Sequence, residues 1–306
     1  MTRSRPLSDT PVINAMSVDV EDYFQVSAFD QVVRRDVWHA FLSRVGSNTD
    51  RLLDLFAREH VTATFFVLGW VAERFPAILR RIVDAGHEIA SHGYEHRLVY
   101  NQSPEEFRAD IRRAKAAIED ASGSLVAGYR APSFSITQRC PWAFDVLIEE
   151  GYSYDTSVYP IHHDRYGIPD APRHPYRVVR PAGSIWEIPG STVRVGWLNL
   201  PIGGGGYFRI LPYAWIRAGF RHLNRVERRP GVFYVHPWEL DPGQPHFRVP
   251  LLSRFRHYYR LSSTERQLTR LLSEFRFGPV RDLVGAVAAP TREMLQPLAP
   301  SLLSMR

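Results

Sequence analysis

Two histidines, His92 and His96, stand four residues apart, directly after a short segment, residues 88–91, that is predicted to be a strand. If the chain turned helical here, both imidazoles would lie on one face of the helix, one turn apart. Two neutral imidazoles so arranged can bind one divalent metal ion. The remaining protein ligand must come from elsewhere in the chain, as a carboxylate oxygen or a further imidazole.

The N-terminal region offers carboxylates for this purpose. Residues 12–18 have the composition of a buried strand, which leads directly into Asp19, Glu21 and Asp22. Burying carboxyl groups at the end of an apolar strand costs free energy. The ordinary alternative is that they cap a helix or form a solvated turn. Asp19 lies between two valines, inside the apolar run, and this position favours a functional role.

Five short motifs follow one another between residues 12 and 240. They are Asp19–Asp22, His92-x-x-x-His96, Arg130–Pro132, Asp155–Ser157 and Val235–Pro237. In order and spacing they resemble the five motifs of the NodB-homology polysaccharide deacetylases, carbohydrate esterase family four. The segments 18–24, 204–209 and 236–239 are similar to a narrower group, the deacetylases found with exosortase (PEP-CTERM) and exopolysaccharide gene clusters.

The resemblance implies that Asp19 is the catalytic base and His236 the general acid. In the family's usual first motif a second, adjacent aspartate binds the metal, whereas here that ligand must be Asp22 or Glu21. We favour Asp22, because a short carboxylate at a strand–loop junction has few free torsions. Glu21, which would share a strand face with Asp19, is the alternative. The predicted metal is zinc, with cobalt, nickel or manganese as alternatives, bound also by both histidines of the second motif.

Further residues are predicted to support this chemistry. Arg130 would keep Asp19 ionised and oriented through a charge-assisted pair. Asp155, at the end of a predicted strand, would raise the pKa of His236 and fix its tautomer. The backbone N–H of Ser133 is predicted to donate to the oxyanion. Pro132 would aim that N–H by holding the preceding residue in an extended conformation. Tyr207 and Trp238 are predicted to make aromatic contacts to the sugar.

The elements that must position these residues alternate between strands and helices. Strands are predicted at 62–68, 88–91, 125–129, 153–155 and 231–235, and helices at 49–60, 71–85, 104–121, 141–150 and 262–275. Such alternation predicts an α/β fold with a parallel sheet, and polar residues at the strand ends are typical of a (β/α) barrel. The resemblance implies a distorted barrel of about seven strands. We expect one unit over residues 1–286, with an elaborated region at 160–230, and a peripheral tail at 287–306.

Composition and charge limit the other possibilities. The chain has 306 residues and a net charge of +6, but its arginines are scattered and form no stripe interleaved with aromatic residues, which argues against nucleic-acid binding. No apolar run reaches the length of a membrane span, and the N-terminus lacks a signal-peptide core. We therefore expect a cytoplasmic protein, with peripheral association with a membrane polysaccharide-synthesis complex as a hypothesis.

The sequence thus predicts a metal-dependent N-deacetylase that acts on an N-acetylated glycan, either an exopolysaccharide or its precursor. One alternative is a related barrel enzyme that opens cyclic imides or ureides such as allantoin. Another is a catalytically silent glycan-binding protein. Release of acetate from N-acetylhexosamine oligomers would distinguish the first of these functions from the other two.

Overall fold

The computed structural model describes residues 11–288 of the chain. The strands are β1 (Asn14–Val20), β2 (Thr64–Val67), β3 (Glu88–Ser91), β4 (Gly128–Tyr129), β5 (Tyr154–Asp155), β6 (Tyr176–Arg180), β7 (Gly183–Glu187), β8 (Thr192–Val195), β9 (Leu198–Pro201), β10 (Val232–Val235) and β11 (Phe277–Gly278). The helices are α1 (Val45–Arg58), α2 (Gly69–Arg74), α3 (Pro76–Asp84), α4 (Pro104–Ser122), α5 (Ala143–Glu149), α6 (Gly205–Ile210), α7 (Tyr213–Arg221), α8 (Leu251–Tyr258), α9 (Leu261–Glu274) and α10 (Val280–Ala288).

A parallel sheet forms the centre of the fold. Its strands are ordered β10-β1-β2-β3-β4-β5-β7, all parallel to their neighbours, and β6 adds an antiparallel strand at one end. The predicted α/β class is therefore confirmed, but the sheet has nine strands where about seven were expected, because β6 and β11, which pairs with β1, join the seven parallel strands. Among the described strands no pairing joins β10 to β6 or β7, so closure into a barrel stays a prediction.

Local sequence signals explain where several helices begin and end. The predicted helix at 71–85 is in fact two helices, α2 and α3, because Pro76 cannot continue the hydrogen-bond pattern of the first. At the start of α4, the Ser103 side chain accepts a bond from the Glu106 amide while Glu106 bonds back to the Ser103 amide, which forms a capping box. The same helix ends at Gly123, whose φ of 69° is left-handed.

The elaborated region at 160–230 is built into the main sheet. Its hairpin, β6 and β7, pairs with β5 through β7, while β8 and β9 form a separate two-stranded sheet. In the same region Gly204 forms a bridge with Tyr234 of β10, and a Cβ atom at Gly204 would lie 2.0 Å from the Tyr234 carbonyl oxygen. Glycine is therefore needed there for a close backbone approach.

Two further expectations concern the chain ends and the membrane. The predicted peripheral tail lies outside the described residues, except for residues 287 and 288 at the end of α10. Within residues 11–288, no helix combines the length and apolar character that spanning a bilayer requires.

Candidate metal centre

Parallel pairing brings the chemically interesting residues to one edge of the sheet. Asp19 is paired in register with Phe66 of β2, whose neighbour Val67 is paired with Ser91 of β3. Ser91 in turn is paired with Tyr129 of β4. The segments that follow β1, β3 and β4 therefore leave the sheet side by side at its carboxyl edge, where sites in parallel α/β folds form.

Three predicted residues meet at this edge. The potential ligand atoms of Glu21, His92 and His96 all lie within 4.8 Å of one another, and the three side chains are buried. Glu21 Oε2 is 2.7 Å from His96 Nε2. The histidines are not on a helix, however, because the chain after β3 is irregular, with positive φ angles at Gly93 (75°) and His96 (52°). This turn, and not helical spacing, brings the imidazoles together.

The donor atoms of this cluster suit a divalent cation. His92 Nδ1 is 2.8 Å from the Arg130 carbonyl oxygen, which can only accept, so Nδ1 carries the proton and Nε2 keeps a free lone pair. Burial lowers the pKa of His92 to about 4, which leaves the ring neutral at pH 7. Burial opposes ionisation of Glu21, but the contact with His96 lowers the pKa of its carboxyl well below the usual range. Among the described residues, His96 Nδ1 is buried without a hydrogen-bond partner, and Glu21 Oε2 has no partner besides His96 Nε2. Two imidazoles and one carboxylate form a donor set typical of catalytic zinc.

Asp22 is not part of this cluster, which corrects the preference for it as the metal carboxylate. Its Oδ2 accepts bonds from Ser43 Oγ at 2.6 Å and from the backbone amides of Arg44 at 2.9 Å and Val45 at 3.1 Å. These amides lie at the start of α1, where N–H groups have no partner within the helix. Asp22 therefore satisfies a helix N-terminus, while the turn after β1 directs Glu21 to the histidines.

Asp19 lies beside the cluster and is held by a buried arginine. Its Oδ1 accepts a bond from Arg130 Nη1 at 2.7 Å, and the same nitrogen donates to Ser17 Oγ at 2.8 Å. Nε and Nη2 of Arg130 donate to Thr156 Oγ1 at 3.1 and 2.8 Å. Because the guanidinium is fixed on both sides and buried, it fixes the orientation of the Asp19 carboxylate.

His236 faces the cluster from the end of β10. Its Nε2 is 3.8 Å from Asp19 Oδ2 and 3.7 Å from Glu21 Oε1. Its Nδ1 is 2.7 Å from Glu239 Oε1, and Glu239 Oε2 accepts a bond from Arg209 Nε at 2.5 Å. Burial works against the charged imidazole, but the hydrogen bond with Glu239 and the nearby carboxylates raise the pKa of His236 to about 9.

The partner of His236 is therefore Glu239, which corrects the prediction of Asp155. The carboxylate of Asp155 accepts bonds from the Ser157 hydroxyl at 2.5 Å and the Ser157 amide at 3.1 Å. It also lies against Glu187, its register partner on β7, and burial raises the pKa of both carboxyls. Glu239 reaches His236 because residues Pro237–Leu240 form a short 3-10 turn, which brings Glu239 back to the histidine three residues before it.

Trp238 lines the groove that opens next to the cluster, but most of its ring is covered, so its predicted contact with a sugar stays a prediction. Its side chain is buried and stacks on His257, with ring centroids 4.1 Å apart, and on His236, at 5.0 Å. Its Nε1 donates a bond of 3.0 Å to Glu21 Oε1. The indole therefore orients the carboxylate of the metal cluster, leaving Glu21 Oε2 directed at His96.

The other predicted substrate contacts lie at or beside a groove that opens next to the cluster. Its lining includes Ser133, His163, Arg165, Tyr166 and Arg256, and Tyr207 continues the wall beside Tyr166. As predicted, the residue before Pro132 is extended, with φ −69° and ψ 136°. Ser133 itself has a φ of 53°, a left-handed conformation that is unfavourable for a residue other than glycine.

Several residues of the site are absent from the sequence-based prediction. Glu239 carries a detectable signal, because His-Pro-x-Glu has the spacing of a capping box with proline at the first helical position. Arg209, Arg165 and Ser17 carry no such signal. Their contacts join segments that are far apart in the chain, such as Arg209 with Glu239 and Arg165 with Ser27.

Comparisons with known proteins divide the chain into two matched regions. Residues 29–146 match the family model of polysaccharide deacetylases, and residues 156–285 match a domain of unknown function, DUF3473. The first region contains His92, His96 and Arg130, and the second contains His236 and Glu239.

Among curated proteins, a peptidoglycan deacetylase of Helicobacter pylori is 32% identical over 114 residues, which are 37% of this chain and 37% of that protein. The chain therefore matches well under half of this relative. Among solved structures, a Mycobacterium smegmatis protein assigned as a polysaccharide deacetylase has a TM-score of 0.58 at 21% identity, over 100% of this chain and 99% of that one. The Puue allantoinase has a TM-score of 0.60 at 17% identity, over 91% of each chain. At these identities the two structures show a shared fold.

Proposed function

We propose that the chain is a metal-dependent hydrolase of the polysaccharide deacetylase family, whose model residues 29–146 match, and that it removes N-acetyl groups from amino sugars. The observation that carries this proposal is the meeting of Glu21, His92 and His96 within 4.8 Å of one another, with Asp19 and His236 alongside. Two imidazoles and a carboxylate leave coordination positions open for water and substrate, as catalytic zinc sites require.

Glu21, His92 and His96 are the proposed ligands, and zinc is the proposed metal. When bound, the ion supplies Lewis acidity that polarises the acetyl carbonyl and favours deprotonation of the attacking water. His92 can bind the metal through Nε2, because its Nδ1–H donates a hydrogen bond to the Arg130 carbonyl oxygen. The carboxylate of Glu21 is oriented by the hydrogen bond from Trp238 Nε1.

Asp19 is the proposed general base. It accepts the proton of the water whose oxygen attacks the acetyl carbon. Oδ1 of Asp19 is occupied by Arg130, so Oδ2, which faces His236, is the oxygen available to take that proton. Arg130 acts as a positioning residue, since it holds the carboxylate without touching the reacting atoms.

His236 is the proposed general acid. It donates a proton to the amide nitrogen as the carbon–nitrogen bond breaks, and acetate and the free amine leave. The bond between its Nδ1 and Glu239 leaves Nε2, on the side of Asp19, to deliver the proton. The backbone N–H of Ser133 is the proposed donor to the developing oxyanion, a role supported by the strained backbone at that residue.

The proposed substrate is an N-acetylated exopolysaccharide or its precursor. The groove beside the cluster is lined by Tyr166 and Tyr207, whose rings are suited to contact with sugars. The resemblance to the exosortase-associated group supports this class of polymer, and it supports action close to a membrane-bound synthesis complex. The groove also carries Arg165, which would favour a glycan with acidic groups, while Arg256 beside it is paired with Asp164.

The test is release of acetate from N-acetylglucosamine oligomers by the zinc-loaded protein. We expect turnover that is lost in His92→Ala and in Asp19→Asn, while Asp19→Asn still binds zinc because Asp19 is not a ligand. Allantoin serves as the competing substrate. Ring opening of allantoin without acetate release would favour the ureide hydrolase, and glycan binding without any turnover would favour the silent binding protein.

A further inference from the structure

We propose that α8 and the segment before it form a docking surface for an anionic phospholipid bilayer, next to the groove of the proposed active site. This surface, the lipid-facing patch, consists of exposed apolar side chains and flanking arginines: Val32, Leu251, Leu252, Phe255, Arg248 and Arg254.

The apolar part of the patch is unusually exposed. The side chains of Leu251, Leu252 and Phe255 are 81%, 58% and 46% exposed, and they occupy positions i, i+1 and i+4 of α8, on one side of the helix. Val32, itself 50% exposed, lines the same cavity as Leu252, so the two segments form one continuous surface. Four large apolar groups facing water in one place mark an interaction site more often than an ordinary surface.

The charge around these side chains is mostly positive, and Asp164, which lines the cavity shared by Val32 and Leu252, is paired with Arg256. Residues 242–264 contain four arginines and no aspartate or glutamate. Arg248 and Arg254 are exposed, and neither forms a salt bridge with another described residue. Exposed apolar side chains flanked by arginines that lack an acidic partner are the pattern of segments that lie in the headgroup region of an anionic membrane.

The opposite side of α8 belongs to the site. Ser253, Arg256 and His257 line the groove, and His257 stacks on Trp238. The buried Arg209 donates bonds to the carbonyl oxygens of His257 at 2.7 Å and Arg256 at 2.9 Å. The same arginine is paired with Glu239, the partner of His236. A membrane on the outer side of α8 would therefore lie beside the entrance to the groove, on a helix that is fixed to the proposed general acid.

A second copy of this chain is a poorer occupant than a bilayer. Two such patches would bring their arginines against one another without an acidic partner, and like charges disfavour association. The inference rests on the proposed function, because the membrane contact would serve to deliver a lipid-linked glycan to the groove. Binding to lipid can nevertheless be measured separately from catalysis.

The test compares binding of the zinc-loaded protein to vesicles of phosphatidylglycerol and phosphatidylcholine with binding to phosphatidylcholine alone. We expect sedimentation with the anionic vesicles that weakens as salt is raised. The triple variant Leu251→Ser, Leu252→Ser, Phe255→Ser should bind at least tenfold more weakly. Arg248→Gln with Arg254→Gln should remove the preference for anionic lipid.

The matched control is Leu125→Ser with Val179→Ser, which removes two side chains that are 88% and 77% exposed at other places. It should bind vesicles like the wild type. All these variants should release acetate from soluble oligomers at the wild-type rate, so failure of the lipid contact and failure of the proposed activity are read out separately. Equal vesicle binding by the triple variant and the wild type would overturn the inference. So would a lack of binding by the wild type, or a concentration-dependent dimer that the triple variant abolishes.

Discussion

Replacing Trp238 by phenylalanine should weaken zinc binding without unfolding the protein. The substitution removes one donor, the Nε1–H that lies 3.0 Å from Glu21 Oε1, and keeps an aromatic ring against His257 and Arg209. A hydrogen bond to an ionised group contributes about 1.5–3 kcal/mol. Since about 1.4 kcal/mol is a factor of ten, the zinc dissociation constant should rise roughly ten- to hundredfold. Loss of an outer-shell hydrogen bond at other metal sites has a similar effect.

The assay is a competition titration of the metal-free protein with a chromophoric chelator of known zinc affinity. Denaturant unfolding of the same metal-free samples shows whether the variant is still folded. Trp197→Phe is the matched control, because Trp197 is 77% exposed and its substitution should leave zinc affinity unchanged. If Trp238→Phe unfolds like the wild type and binds zinc equally tightly, the indole does not position Glu21, and the reasoning is refuted.

Three further outcomes are expected. Glu21→Ala should no longer bind stoichiometric zinc, whereas Asp22→Ala should still bind it. The free energy of unfolding of Asp22→Ala should fall by about 1 kcal/mol, because a helix cap is lost. Measurements of bound zinc and unfolding curves distinguish the two variants. Glu239→Gln should shift the alkaline limb of kcat/KM to lower pH, because Glu239 raises the pKa of His236 and the acid must be protonated to act; an unchanged limb would contradict that role. Burial lowers the pKa of His87 to about 4, below its value of 6.5 in the unfolded chain, so its contribution to stability is complete above pH 6.5 and is lost as the pH falls toward 4. Between pH 7 and 5 this loss should be about 2 kcal/mol in urea unfolding, and His87→Asn, which keeps an acceptor for the backbone amide, should show a flatter dependence.

The fold class follows from features that each segment carries by itself. The alternation of apolar strands with amphipathic helices indicates a parallel sheet, and the capping box at Ser103 marks the start of α4 correctly. Boundaries are harder where neighbouring segments compete. Pro76 divides one predicted helix into two, and α1 begins at Val45, four residues earlier than its apolar pattern suggests, where Asp22 accepts bonds from its first amides.

The types of the site residues and their places at strand ends were determined by the sequence alone, because parallel strands bring their carboxyl ends to a common edge. The assignment of partners was decided by the tertiary structure. Glu21 rather than Asp22 meets the histidines because the nearby start of α1 takes Asp22 for its unpaired amides. Glu239 rather than Asp155 meets His236 because a 3-10 turn folds it back, while Glu187 and Ser157 occupy Asp155. Such choices depend on differences of an ångström or two between side chains far apart in the chain, and no local pattern of residues contains them.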